Sequence, residues 1–351
     1  MINKIYRDLF ELPGISGNEH LVRKYMRNFM GKYPNYEIIQ DNLGSIFAVK
    51  RSRVEKPMTV MVAGHMDEVG LMVTEITKQG HIKVEAIGGL NGEVFISQVM
   101  YVHTKNGIVP GVIGALPPHL KQSQTTNISD LILDIGATSK EEAQSFGVEL
   151  GNMVLFKNQF HYSMNKKRVI AKAIDNRYGC GLALEAIEKF HDIDLPFDLV
   201  VGATVQEEVG LRGAETSVNL FKPDVFIALD ASPVNELDKD NMASLGGGFL
   251  LRMLDPRNKM HKGLMEYFVE LADKNKIKYQ YFVSKGGTDA AKALDMNEGI
   301  LATTIGLPAR YIHSTAAMMD INDLKEAKKM LFKLLLSLNS DVITKIRKTN
   351  F

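Results

Sequence analysis

Cys180 is the only cysteine among 351 residues, which rules out an intramolecular disulfide and a thiolate-rich zinc site and fits a reducing, cytoplasmic setting. Charge bias is missing as well. The 42 basic and 41 acidic side chains leave a formal net charge of +1, so no long-range field draws the chain to nucleic acid or an anionic membrane. Recognition must come from local sites. No stretch reaches the ~18 consecutive apolar residues of a membrane span, and even "MLFKLLLSL" near the C-terminus is interrupted by Lys333. The opening "MINKIYRDLFELPGISGNEH" lacks the roughly 7–15-residue apolar core of a signal peptide. Internal repeats and low-complexity tracts are absent too. The expectation is a soluble, unprocessed protein with no nucleic-acid or membrane partner.

What is present is α/β material with a β-rich interruption. The length exceeds the roughly 100–200 residues usual for one domain, so two units are expected, one inserted in the other. Ile5, Leu9 and Phe10, then Leu21, Tyr25 and Phe29, have helical spacing on either side of the Pro13–Gly14 break. "TVMVAG", "RVIAKAI", "LVVGATVQ", "VFIAL" and "GILATTIGLP" are apolar without alternation, as strands buried on both faces should be. Cys180, Ala183, Leu184 and Ile187, the segment "HKGLMEYFVELADKNK" and a stretch from about Asp323 onwards read as helices. Between about Gly70 and Asn165, short β-branched runs alternate with glycine, proline and Lys-Asn turns, the pattern of a small barrel or sandwich. The fold class is therefore α/β, with a catalytic domain built from 1–68 plus 166–351 and a small all-β, barrel-like domain inserted at 69–165.

In open α/β sheets ligands gather at the carboxyl ends of strands. Here five apolar runs end in ionisable groups: His65 and Asp67, Asp175, Glu207 and Glu208, Asp230, and His313. One strand-end Asp alone is usually a helix cap. Several carboxylates buried together cost several kcal/mol each unless cations neutralise them, and two histidines among them argue for metal. Imidazole with carboxylate and no thiolate suits zinc, cobalt or manganese better than calcium or magnesium. Five ligands exceed the need of one catalytic zinc and favour two ions sharing a carboxylate.

"AGHMDEVG", "AIDNR", "QEEVGLRGA", "ALDASP", "GGTDA" and "ARYIHS", in this order, resemble the dinuclear metallo-aminopeptidases that include bacterial glutamyl aminopeptidases and tetrahedral archaeal peptidases, metallopeptidase family forty-two. The resemblance spans essentially the whole chain. It implies a zinc-peptidase-like α/β/α catalytic domain, two divalent ions, and cleavage of N-terminal residues from short peptides with a free N-terminus. Position by position, it implies that His65, Asp175 and Asp230 hold one ion and Asp175, Glu208 and His313 the other, with Asp175 as the bridge. Asp67 would orient the His65 imidazole, and Glu207 would be the general base. The resemblance further implies a homo-oligomer, from dimer to tetrahedral dodecamer, with the β-rich insertion mediating self-association.

Gly286, Gly287, Thr288 and Asp289 are candidates for the substrate pocket, against the alternative of a glycine turn entering a capped helix. Arg257 and Lys285 offer charge for an acidic side chain of the residue being removed, although solvated surface charge is an equal expectation. Arg310 either binds a carboxylate or braces its loop, and His119 reads as an exposed loop histidine. A metal-dependent deacylase or amidohydrolase of acylated amino acids would share this ligand set. A glycoside hydrolase could use paired carboxylates but would not need His65 and His313. A non-catalytic oligomeric scaffold would not need the complete ligand set.

Overall fold

Four of the unalternated runs, Asp198–Thr204, Thr59–His65, Val225–Pro233 and Leu301–Arg310, lie side by side in that order as parallel strands. Nearly all their residues are buried, because each is covered on both faces and has no solvated side to encode. The computed structural model describes residues 1–115, 117, 119, 127–236 and 242–349. Beyond Asp198–Thr204 the sheet continues antiparallel through Ile46–Lys50 and Glu37–Gln40. Beyond Leu301–Arg310 it continues through Ala317–Asp320, Arg168–Ala171 and Phe160–Tyr162. Phe249–Leu254 branches from Leu301–Arg310 and carries Tyr279–Val283 at its edge.

Alternate residues of the same strands feed two cores. Val60, Val62, Leu199, Val201, Ile227 and Leu229 meet helices that include Lys4–Glu11, His20–Met30, Ile174–Phe190 and Ile321–Ser337. Met61, Ala63, Val200, Phe226 and Ala228 meet Arg212–Phe221 and Asp289–Leu294, through Val218, Ala290 and Ala293. The result is the α/β/α layering expected of the catalytic part.

Six strands, Gly70–Ile76, Ile82–Ile87, Ile132–Asp134, Gly107–Ile113, Gln98–Thr104 and Met153–Phe156, close in that order into a separate barrel. Leu71, Val84, Met100, Val102, Leu133 and Val154 fill it. The chain enters the barrel directly from Thr59–His65. Phe160–Tyr162, inside the 69–165 stretch, already pairs in the large sheet.

Three local features differ from the sequence reading. In His20–Met30 the buried face is Val22, Met26, Phe29 and Met30, one position on from the expected stripe; Tyr25 sits at the rim with its hydroxyl 3.1 Å from Asp8 Oδ2. The C-terminal helix is two helices, Ile321–Ser337 and Ser340–Lys348, because Asn339 accepts a bond from Val342 N and starts a new one. Phe249–Leu254 and Tyr279–Val283 are strands for which no expectation existed.

Candidate metal centre

The four parallel strands end on one edge of the sheet, and that edge collects the ionisable residues. His65 is the last residue of its strand, Asp230 is in the latter half of its own, Glu207 and Glu208 follow Asp198–Thr204, and His313 follows Leu301–Arg310. Asp175 comes from the start of Ile174–Phe190, which lies tight on the sheet. A Cβ on Gly64 would stand 2.5 Å from the Gly179 carbonyl carbon, and one on Gly179 would collide with the Leu229 carbonyl oxygen. Only this glycine pair lets the helix approach closely enough to set Asp175 beside His65.

Asp175 faces both imidazoles. Its Oδ1 is 3.2 Å from His65 Nε2 and its Oδ2 is 3.3 Å from His313 Nε2. Asp230 Oδ1 and Glu207 Oε2 are each 3.7 Å from His65 Nε2, and Glu208 Oε1 is 3.4 Å from His313 Nε2. Two sets of ligand atoms, His65 with Glu207 and Asp230, and His65 with Asp175 and Glu208, each fall within 4.8 Å of one another. Proximity alone does not separate the expected base, Glu207, from the expected ligands.

The donor chemistry fits divalent cations. His65 Nδ1 is 3.0 Å from the Asp67 carbonyl oxygen and His313 Nδ1 is 2.7 Å from the Gly89 carbonyl oxygen. A carbonyl only accepts, so in both rings Nδ1 carries the proton and a neutral ring turns its Nε2 lone pair towards carboxylate oxygens. That contact is repulsive unless positive charge stands between the groups. Without it the rings must be protonated: burial pulls His313 down, but Asp175 and Glu208 outweigh it and push its pKa up to about 11. Burial, then the neighbouring carboxylates, likewise hold Glu207 and Asp230 well above the usual carboxylate range, despite the opposing pull of His65. Asp175 Oδ1 and Glu208 Oε1 are buried with no hydrogen-bond partner, a placement that fits carboxylate oxygens able to ligate a cation.

Asp67 is fully buried beneath this cluster. Its Oδ1 is 3.4 Å from His65 Nδ1 and accepts from Glu207 N at 3.1 Å, and its Oδ2 accepts from Glu208 N at 3.1 Å and from Ser16 Oγ at 2.6 Å. One carboxylate therefore touches the first imidazole and the backbone of both glutamates. Cys180 is buried under His65 and donates to its carbonyl oxygen at 3.1 Å; burial pushes the thiol up to about 12, so it stays an unreactive thiol.

A cavity of about 320 Å³ opens over the cluster, with Arg252, Ser284, Gly286 and Gly287 on its far wall. Thr288 precedes the helix Asp289–Leu294 and bonds Thr304 Oγ1 at 2.8 Å. Asp289 is buried and accepts from Thr204 Oγ1 at 2.5 Å; burial raises its carboxyl to about 6. Arg257 lines a separate cleft with Glu215 and Lys292, and Lys285 is exposed. Arg310 braces its loop, its Nε 2.5 Å from Glu236 Oε2, and His119 is exposed. A larger cleft of about 670 Å³ lies at the opposite ends of the strands, near Asp224 and Leu301, far from this chemistry.

Ser16, Glu19, Arg177 and Arg252 are missing from the sequence-based candidates. Arg252 is buried, its Nε lies 3.4 Å from Asp255 Oδ2, and its guanidinium donates to Ser232 Oγ and to the Gly286 carbonyl oxygen. Burial, not charge, is the signal that marks it, and an unrecognised strand hid that.

Comparison with known proteins bears on the whole chain. The family model described as M42 glutamyl aminopeptidase matches residues 44–330. A glutamyl aminopeptidase of Lactococcus lactis subsp. cremoris is 41% identical over 345 residues, 97% of each chain. The crystal structure of a TET aminopeptidase from a marine-sediment thaumarchaeote superposes with a TM-score of 0.92 at 31% identity, over 98% of this chain and 99% of that one. The TET1 peptidase of Pyrococcus horikoshii, described as assembling into a tetrahedron or a large octahedral shell, superposes with a TM-score of 0.85 at 31% identity, over 95% of this chain and 99% of that one.

Proposed function

The chain belongs to the M42 glutamyl aminopeptidase family, and from that premise we propose that it removes N-terminal residues from short peptides at a centre of two divalent ions, with Glu207 as general base. It is a metallo-aminopeptidase, a hydrolase of peptide bonds. The observation that carries the finer reading is the two-sided Asp175 carboxylate, one oxygen towards each imidazole. His65, Asp175 and Asp230 would hold one ion and Asp175, Glu208 and His313 the other, zinc or cobalt first, manganese also suited. When bound, divalent ions supply positive charge that polarises a scissile carbonyl and acidifies a nearby water.

The chain's own residues do the rest. Glu207 takes a proton from the attacking water and returns it to the leaving amine. Asp67 holds the His65 ring and the Glu207–Glu208 backbone. The cavity wall at Gly286 and Gly287 leaves room for the substrate's first residue, and the glutamyl aminopeptidase relative leads us to expect acidic residues to be favoured there, with Arg252 as the buried cation of the wall.

We extend self-association to this chain, from dimers to tetrahedral dodecamers, on the strength of the TET relatives and of an apolar outer barrel face where Val99 pairs with Val112, both exposed, beside exposed Ile108 and Ile132. No helix among the described residues is long and apolar enough to cross a membrane. The cytoplasmic placement rests on the lone buried cysteine.

Chelation is expected to abolish turnover of aminoacyl amides, and zinc, cobalt or manganese to restore it, with glutamyl and aspartyl amides fastest and N-acetylated counterparts inert. The check is a chromogenic assay of stripped and reloaded enzyme over a panel of free and blocked substrates. Turnover of the blocked set would favour the deacylase reading, and activity that survives full chelation would overturn the metal-dependent one.

A further inference from the structure

We infer that Glu19, in the N-terminal segment, is a positioning residue for Glu207. This rests on the reading of Glu207 as base. Three consecutive backbone N–H groups, those of Gln206, Glu207 and Glu208, all donate to buried carboxylates. Gln206 N donates to Glu19 Oε1 at 3.2 Å, and Glu207 N and Glu208 N donate to the two oxygens of Asp67 at 3.1 Å. The pair of carboxylates forms an inverted cradle, two anions holding a curl of peptide N–H groups. Gln206 has a positive φ of 54°, a left-handed conformation that a non-glycine residue keeps only when its surroundings impose it. That bend ends the strand Asp198–Thr204 and sends the next two side chains to different imidazoles, Glu207 to His65 and Glu208 to His313.

Glu19 is itself held rigidly. Only 3% of it is exposed, and the same Oε1 also accepts from Gly17 N at 2.8 Å. Three residues before it, Ser16 Oγ donates to Asp67, so both carboxylates of the cradle depend on the segment from Ser16 to Glu19. That segment is tied to the strand end: Glu68 N donates to Gly14 O at 3.0 Å. Arg177, wholly buried, spends all five N–H donors there, on the carbonyls of Leu9, Leu12, Gly14 and Met66 and on Glu68 Oε1. Glu19 thus acts on the backbone just before the base, while Glu207 N and Glu208 N both keep their ties to Asp67. Removing the Glu19 acceptor frees Gln206 to leave the left-handed region, which shifts Glu207, bonded directly to it, more than Glu208, one residue farther on and still held by Asp67.

The test compares Glu19→Ala and Glu19→Gln in the metal-loaded enzyme. Glu19→Ala should lower kcat about 30-fold with KM within about threefold of wild type, since a displacement near 1 Å at the reacting group costs up to about 10²-fold. Its metal content should match wild type. Hydrogen exchange should speed up in the peptide covering Gln206 and nowhere outside the segments that touch it. Glu19→Gln keeps the accepting oxygen and should recover kcat to within about threefold. A Glu19→Ala enzyme with wild-type kcat and unchanged exchange at Gln206 would overturn the inference. So would a loss of kcat that tracks loss of metal or exchange spread over the whole chain, or a Glu19→Gln enzyme as impaired as Glu19→Ala. Absence of aminopeptidase turnover in the wild type would refute the proposed function instead, and the exchange comparison would still decide whether Glu19 holds Gln206.

Discussion

Glu207→Gln is expected to reduce kcat about 10³-fold, in the middle of the range that general acid–base catalysis contributes, while leaving metal content at the wild-type value. The substitution is nearly isosteric, and the backbone N–H of residue 207 stays on Asp67, so what disappears is the capacity to carry a proton. The loss corresponds to about 4 kcal/mol of transition-state stabilisation. KM should move little, because the base meets the proton only during the reaction. The metal measurement is what gives the experiment its force. Glu207 and Asp230 stand at the same 3.7 Å from His65 Nε2, so geometry leaves both able to be ligands. If Glu207→Gln lost an ion, the roles of these two carboxylates would need to be exchanged or shared.

Asp175→Ala should be the most damaging substitution in the protein. On the proposed assignment both ions depend on it, so metal content should fall from two per chain to well below one, and turnover by on the order of 10⁴-fold or more, below what any single-ligand loss would give. Glu208→Ala, by contrast, removes a carboxylate assigned to the His313 side, 3.4 Å from His313 Nε2 and within 4.8 Å of His65 and Asp175, and should leave the ion on the His65 side in place. Elemental analysis of the dialysed variants, beside their kinetics, distinguishes the cases. Equal metal loss in Glu208→Ala and Asp175→Ala would contradict the bridging role.

The fold and most of the cluster could be read from the residues because burial on both faces leaves a plain trace. Runs such as Val60–Ala63 and Val225–Leu229 have no polar alternation, and a charged residue that follows such a run stands out at the sheet edge. What escaped was tertiary. Glu19 and Gln206 are far apart in the chain, and neither carries a local pattern that announces a hydrogen bond between them. His313 is oriented by the carbonyl of Gly89, from the chain leading through the barrel, a contact that no spacing encodes. Arg257 and Lys285 drew attention by charge, yet the guanidinium that lines the cavity belongs to Arg252, on a strand where "FLLRML" breaks the apolar run. A charge inside a short strand is invisible as a site until its neighbours are known to bury it.

The direction of the two glutamates was equally hidden. Alternation of side chains along an extended backbone separates neighbours in general terms, but the observed separation comes from the left-handed turn at Gln206 and from the carboxylates of Glu19 and Asp67 beneath it. Two adjacent acids are tolerable here because each is directed to a different imidazole and both are backed by the same buried Asp67.

Anomalous scattering at the zinc edge from crystals of the zinc-loaded protein tests the central claim most directly. The account predicts two peaks about 3.5–4 Å apart, one beside His65 and Asp230, the other beside Glu208 and His313, with Asp175 between them and Glu207 bound to neither. A single peak, or peaks away from Asp175, would contradict it.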